Sequence, residues 1–229
     1  MKNQKKQWLL GTVAAALTSL AFATPHASAS IIFATFSEPG TSQGFTFKNN
    51  TSSGSISAST PVDFEFTAAS GLPTTVHNAT LTISGPPLVA PASSFGALLD
   101  EPVGGPQVLT IIDNGTSANL LTMVFTGDLA GFNTAPSASL IGADTTANTV
   151  TYTSAFLTFS GPGNSYNLGL ADLSVPLTLG PGGFLNTFLA NIDGQFTGGN
   201  VSGGGSPEPA SLGILALGAV ALLNRRRNA

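Results

Sequence analysis

Val62-Asp63-Phe64-Glu65-Phe66 alternates apolar and charged residues without a break. A period of two puts the three apolar side chains on one face of an extended chain and both carboxylates on the other. The stretch therefore reads as a half-buried β-strand, and the same period recurs on both sides of it. Residues 31–36, 44–48, 54–59, 107–113, 119–127, 166–179 and 191–198 all carry it. Gly85-Pro86-Pro87, Asp113-Asn114-Gly115, Gly161-Pro162-Gly163 and Asp193-Gly194 punctuate the runs as turns, because Gly and Asp tolerate positive φ and Pro fixes its own. Asp193-Gly194, between Ile192 and Phe196, predicts a two-residue hairpin loop. About a dozen short strands in a chain of this length predict an all-β fold, a single β-sandwich or jelly roll. The Pro/Gly-rich stretch 85–105 is the place where a second domain would begin if there were one.

Ala79-Thr80-Leu81-Thr82-Ile83-Ser84-Gly85-Pro86 and Ala155-Phe156-Leu157-Thr158-Phe159-Ser160-Gly161-Pro162 share one pattern. In each, the apolar phase slips just before the shared alanine, which a β-bulge would explain. Duplication and chance likeness among Thr-rich strands both account for the pair.

The two ends of the chain differ from its middle. Residues 1–29 place Lys2, Lys5 and Lys6 ahead of an apolar run from Trp8 to Ala23. That order, with a run shorter than a span requires, reads as a secretory signal peptide. Ala27 and Ala29 fit the small-residue positions of signal peptidase, which makes Ser30 the expected mature N-terminus. At the other end, residues 203–206 are a Gly-Gly-Gly-Ser linker. Pro207-Glu208-Pro209 follows, then an apolar segment, 210–223, expected to be helical, and then Arg225, Arg226 and Arg227. The arginines would keep their end in the cytoplasm.

This order of motif, short apolar helix and basic end, PEPASLGILALGAVALLNRRR, resembles the PEP-CTERM sorting domain of Gram-negative bacteria. The resemblance covers the chain from about residue 206 onward. It implies recognition by an exosortase, cleavage near the motif after transient insertion in the inner membrane, and delivery to the cell surface or an exopolysaccharide matrix. Tails of this kind sometimes carry an ice-binding label, although the tail's own residues hold no such chemistry.

Between the two labels, residues 30–202 are expected to form one acidic, Ser/Thr-rich β domain. From residue 30 to 206 there are ten carboxylates and one basic side chain, Lys48, a formal charge near −9. Such a surface offers nothing to neutralise phosphates, so nucleic acid is not an expected partner. The chain has no cysteine, so neither disulfides nor thiolate metal sites contribute to its stability.

Chemistry-bearing residues are sparse. His77 is the one histidine of the mature span, and no G-x-S-x-G elbow accompanies it. A lone imidazole does not make a zinc site. Asp63 and Glu65, about 7 Å apart on one strand face, are the candidate acid pair for glycoside hydrolysis. Asp100-Glu101, Asp113-Asn114-Gly115, Asp128 and Asp193 are the candidate calcium ligands, since their oxygens suit a hard cation, but no EF-hand loop is present. Thr149, Thr151 and Thr153 line up hydroxyls on one strand face, the element an ice-binding surface would repeat in several rows. Asn49, Asn50, Asn78, Asn114 and Asn200 lie in N-x-[ST] sequons. The expectation is a non-catalytic surface or matrix protein without a cofactor, its partners being signal peptidase and exosortase during export. A carbohydrate-binding module that holds exopolysaccharide is the alternative, with a glycan-active enzyme and an ice-binding protein behind it.

Overall fold

A computed structural model describes residues 30–203. The signal peptide with Ala27 and Ala29, and the sorting segment with Pro207, Glu208, Pro209 and Arg225 to Arg227, lie outside the described residues.

The described chain is all-β. In order come β1 (Ile31–Ser37), β2 (Phe45–Asn49), β3 (Gly54–Phe66), β4 (Val76–Ser84) and β5 (Ser93–Phe95), with a single 3-10 turn at Ala68–Ser70 after β3. β6 (Leu98–Asp113) and β7 (Asn119–Phe132) form a long hairpin, followed by β8 (Ala138–Ala143), β9 (Val150–Thr153), β10 (Leu157–Phe159) and β11 (Ser165–Ala171). A second 3-10 turn at Pro181–Gly183 precedes β12 (Phe188–Gly198) and β13 (Val201–Gly203).

Eleven strands make one antiparallel sheet, while β10 and β13 pair separately. Following the partners gives β6–β4–β3–β1–β12–β11–β8–β7, and β7 pairs again with β6. The hydrogen-bonded circuit therefore closes on itself, and closure removes most of the exposed strand edge. The β6–β7 hairpin makes closure possible because its two halves have different neighbours. Residues 108–113 of β6 pair with β4, whereas 128–130 of β7 pair with β8. The ladder slips between the halves, at Val103/Gln107, where Gly104-Gly105-Pro106 bulges. Gln107 pins that bulge, its Nε2 donating to the carbonyls of Pro86 and Gly105 at 3.1 and 3.2 Å.

β1 and β2 both lie between β3 and β12, as one edge-to-edge strand interrupted at 38–44. Glu38 spans the interruption. Its carboxylate accepts from the backbone N–H of Gly44 and of Ile192, both at 3.0 Å, from Thr60 Oγ1 at 2.7 Å, and from Ser42. Burial works to raise the Glu38 pKa, but these four hydrogen bonds outweigh it and hold the carboxyl below its usual value.

The opening stretch behaves as expected: Val62, Phe64 and Phe66 are buried while Asp63 is exposed. It belongs to a thirteen-residue strand that also absorbs 54–59. Phenylalanine fills much of the interior. Phe47 stacks on Phe188 at 5.5 Å, and Phe33 meets Tyr152 edge-on at 5.1 Å, arrangements that favour aromatic pairs beyond their buried area.

Three expectations need correction. Asp193-Gly194 is no hairpin; both residues lie inside β12 and pair with Ser37 and Phe36 on one side and with Gly169 and Leu168 on the other. Glycine is needed there because a Cβ would come within 2.5 Å of the Phe36 ring and 2.6 Å of Leu168. The strand expected over 166–179 ends at Ala171, where Asp172 takes φ 53°. The residues beyond it form a strap that buries Leu173, Leu177, Phe184 and Leu185. Finally, the first repeat segment continues without a break from Val76, which is simply exposed, whereas the second contributes only β10 and is separated from Tyr152 by the end of β9 at Thr153. No bulge interrupts the β3–β4 or β4–β6 ladders.

Candidate functional site

The register of the strands assembles two rows of side chains on one outward face. One runs Asp63, Ser37, Asp193, Gly169, Ser139, Ala130, Asp100 across β3, β1, β12, β11, β8, β7 and β6. The other runs Glu65, Thr35, Gln195, Asn167, Ile141, Asp128 across β3 to β7. Strand spacing makes the rows roughly 25–30 Å long. Their first halves line a groove of about 640 Å³. Ser139 and Ala130 continue it into an apolar recess of about 310 Å³ that is also lined by Leu98 and Phe132.

The groove carries hydroxyls, amides and carboxylates. Asp193 packs its carboxylate over Gly169, where any side chain would displace it. At the far end Asp100 and Asp128 are both raised above the usual range, each chiefly by burial, and Asp100 further by the neighbouring Asp128 charge. Phe132 and, across Leu98, Phe95 stand 65% and 68% exposed there. Tyr152 and Tyr166 are buried, their hydroxyls donating to the carbonyls of Ser165 and Thr126, and burial raises both phenols. Any aromatic platform beside the groove is therefore a phenylalanine.

His77 is separate from this face. It pairs across the ladder with Phe64, on the side opposite Asp63 and Glu65. Its Nδ1 lies 2.9 Å from Asp113 Oδ2. Asp113 Oδ1 accepts from the N–H of Gly115 and Thr116 and from the Thr116 hydroxyl. His77 first, and these bonds after it, lower Asp113 to about 2. The Asp113 turn is thus closed by its own oxygens. The other candidate calcium ligands, Asp100, Glu101, Asp128 and Asp193, lie within strands. Among the described residues no three His, Cys, Asp or Glu side chains gather as a metal site would require.

Glu101 is fully buried, which sequence reasoning missed. Its Oε2 accepts the Leu185 N–H at 3.0 Å, tying the strap to β6, while Oε1 has no partner. Burial, offset in part by that bond and reinforced by Asp100, pushes its pKa up to about 7. Asn49 fastens the same strap, donating to the carbonyls of Pro181 and Leu185. Its amide is therefore occupied, and Asn114 is likewise bonded to Asn78 and Thr80. Of the sequon residues, Asn50, Asn78, Asn114 and Asn200 are exposed, and only Asn49 is half-buried.

Thr151 and Thr153 of β9 do join a larger array, with Thr149 just before the strand. Thr153, Thr122, Thr110, Thr82 and Ser59 face one another across β9, β7, β6, β4 and β3. This second wall is free of charge. An average sheet twist of about 20–25° per strand pair would rotate such a row by roughly 90° over four pairings and so work against the flat lattice that ice requires.

Among the described residues no helix is long and apolar enough to cross a membrane. Compared with known proteins, the chain matches no family model, no curated protein and no solved structure.

Proposed function

We propose that the chain is an exported component of the cell surface or exopolysaccharide matrix, processed by an exosortase at Pro207-Glu208-Pro209, with a non-catalytic β domain. The closed sheet is best regarded as a flattened β-sandwich whose corner is the bent β6–β7 hairpin. What supports the non-catalytic reading is that no histidine joins the groove acids: Asp63, Glu65 and Asp193 share their face with hydroxyls and amides while His77 is on the other side of the sheet. That leaves Asp63 and Glu65 as the acid pair to test, with glycan cleavage abolished by Asp63→Asn and Glu65→Gln as the outcome that overturns the reading. Acid–base catalysis needs such groups converging on one bond. Mass spectrometry of the protein recovered from the surface of producing cells tests the sorting. The expected mature form begins at Ser30 and lacks Arg225 to Arg227; an intact arginine end overturns the processing.

The groove itself favours a second reading, a carbohydrate-binding module. Its rows of Ser37, Thr35, Gln195 and Asn167 offer the donors and acceptors that sugar hydroxyls use, and their acidic neighbours disfavour polyanionic glycans. Co-sedimentation with the producer's own exopolysaccharide tests it, with a uronic-acid polymer as the control expected not to bind.

A further inference from the structure

Five carboxylates stand along the groove rows: Asp63 and Glu65 on β3, Asp193 on β12, Asp128 on β7 and Asp100 on β6. Between residues 30 and 203 only Lys48 and His77 carry basic groups. Lys48 pairs with Ser55, eight residues and about 26 Å along β3 from Asp63, and His77 is on the other side of the sheet. No cation of the domain therefore reaches the groove acids. Burial first, and for Asp100 the Asp128 charge as well, holds Asp100 and Asp128 above the usual carboxylate range, as befits acids with no positive group beside them. Asp100 Oδ1 is buried without a hydrogen-bond partner.

The spacing of these acids decides what kind of cation suits them. Counted across the strands, Asp193 is about 10 Å from Asp63 and about 15 Å from Asp128. A metal ion needs its oxygens gathered around one point, and among the described residues no three such groups gather. Carboxylates set at intervals suit instead a polymer that carries positive groups at intervals. At the far end the next outward row beyond Asp100 and Ala130 is Phe95, Leu98 and Phe132. Phe132 and Leu98 also wall the apolar recess. The exposed ring of Phe132 offers a flat apolar surface and, like the carboxylates, attracts a cation.

A basic peptide would bring the same charge, but peptides bind sheets chiefly by adding a strand to an open edge, and these rows lie on the face of a closed sheet. Thr35, Ser37, Asn167 and Gln195 line the groove between the acids and offer the hydrogen bonds that sugar hydroxyls use. We propose that the groove takes a glycan with free amino groups, a hexosamine polymer at least partly without N-acetyl groups. Its ammonium groups meet Asp63 with Glu65, then Asp193, then Asp100 with Asp128, and a sugar ring lies on Phe132 at the mouth of the recess. This deepens the carbohydrate-binding reading and rests on it. Acetylation removes the charge of an amine, so the acetylated polymer keeps its hydroxyl contacts and loses its carboxylate contacts.

Calorimetric titration of the full chain in a non-ionic detergent tests the proposal, with a β-1,4-linked glucosamine hexamer, its fully N-acetylated counterpart and hexalysine as probes. The glucosamine hexamer is expected to bind about tenfold or more tightly than the acetylated one. Asp100→Asn is expected to remove most of that preference and to leave the acetylated hexamer unaffected. Asp144→Asn, which deletes the same charge from an exposed position beyond the end of β8, is expected to change neither. Phe132→Ala is expected to weaken both sugars, and melting midpoints confirm that each variant is folded. Equal affinities for the two hexamers, or equal weakening by Asp100→Asn and Asp144→Asn, overturn the amino-group site while the carbohydrate reading stands. Hexalysine bound as tightly, with the same dependence on Asp100 and Phe132, overturns the glycan in favour of a basic peptide. Failure of both hexamers to bind overturns the proposal together with the carbohydrate reading.

Discussion

Glu101 shows how one side chain can tie stability to pH. It is fully buried and accepts a single hydrogen bond, from the Leu185 N–H to Oε2, so its charged form is disfavoured and its pKa rises from 4.5 to about 7. The sign follows from proton binding. Between those two values the folded protein holds a proton that the unfolded chain has released, so stability falls as pH rises through the window. The difference corresponds to on the order of 2–3 kcal/mol, present below about pH 4.5 and lost by about pH 7.5. Chemical unfolding of wild type and Glu101→Gln at pH 5 and pH 8 measures it. Glu101→Gln is expected to lose less stability between the two pH values than wild type by roughly that amount; equal losses would show that the carboxyl is already hydrated. Asp113 works in the opposite direction, since its pKa is lowered to about 2 by His77 and the turn amides. Its contribution is present above about pH 4 and disappears as pH falls toward 2.

At the scale of elements, the fold depends on strands that break or bend at chosen places. Glu38 replaces the ladder partners lost where β1 gives way to β2, and its removal strands the N–H groups of Gly44 and Ile192. Glu38→Ala is expected to cost about 2–3 kcal/mol in urea unfolding and Glu38→Gln distinctly less, because an amide oxygen still accepts. Gly194 acts by absence: Gly194→Ala forces a Cβ against Phe36 and Leu168 and is expected to cost about 1–3 kcal/mol, read by the shift in thermal midpoint. These two positions also mark how far the sequence could be read. Alternation located β1, β2, β3 and most of β7, because period 2 is a local property. Asp193-Gly194 looked like a turn because its dipeptide chemistry is that of one, and only packing against two neighbouring strands reveals why glycine is there. Residues 98–106 fall largely in the Pro/Gly-rich stretch 85–105 that reads as a seam, yet a bulge at Gly104-Gly105-Pro106 keeps both sides in the ladder. Leu173, Val175, Leu177 and Leu179 continue the alternation beyond β11, and the left-handed Asp172 ends the strand regardless.

For the whole molecule, closure of the sheet sorts its surface into two walls of different chemistry. Carboxylates stand in the rows that start at Asp63 and Glu65 of β3 and pass through Asp193 of β12 to Asp128 of β7 and Asp100 of β6, and uncharged hydroxyls in the row of Thr153, Thr122, Thr110, Thr82 and Ser59. Neither wall is visible in the chain, since partners such as Thr35 and Gln195 are 160 residues apart and meet only through register. The two walls make the binding question decidable, because each has a substitution that spoils it alone. Gln195→Ala with Asn167→Ala removes the amide pair at the centre of the groove and exposes no core. Thr110→Lys places a charge in the middle of the hydroxyl row. With the producer's exopolysaccharide as ligand, the double alanine variant is expected to bind about tenfold more weakly, the loss of one or two net hydrogen bonds, and Thr110→Lys to bind as wild type. Matched melting midpoints separate a lost contact from a lost fold. The opposite pattern, binding spoiled by Thr110→Lys alone, would move the ligand to the uncharged wall, where methyl and hydroxyl groups rather than amides and acids would have to account for it.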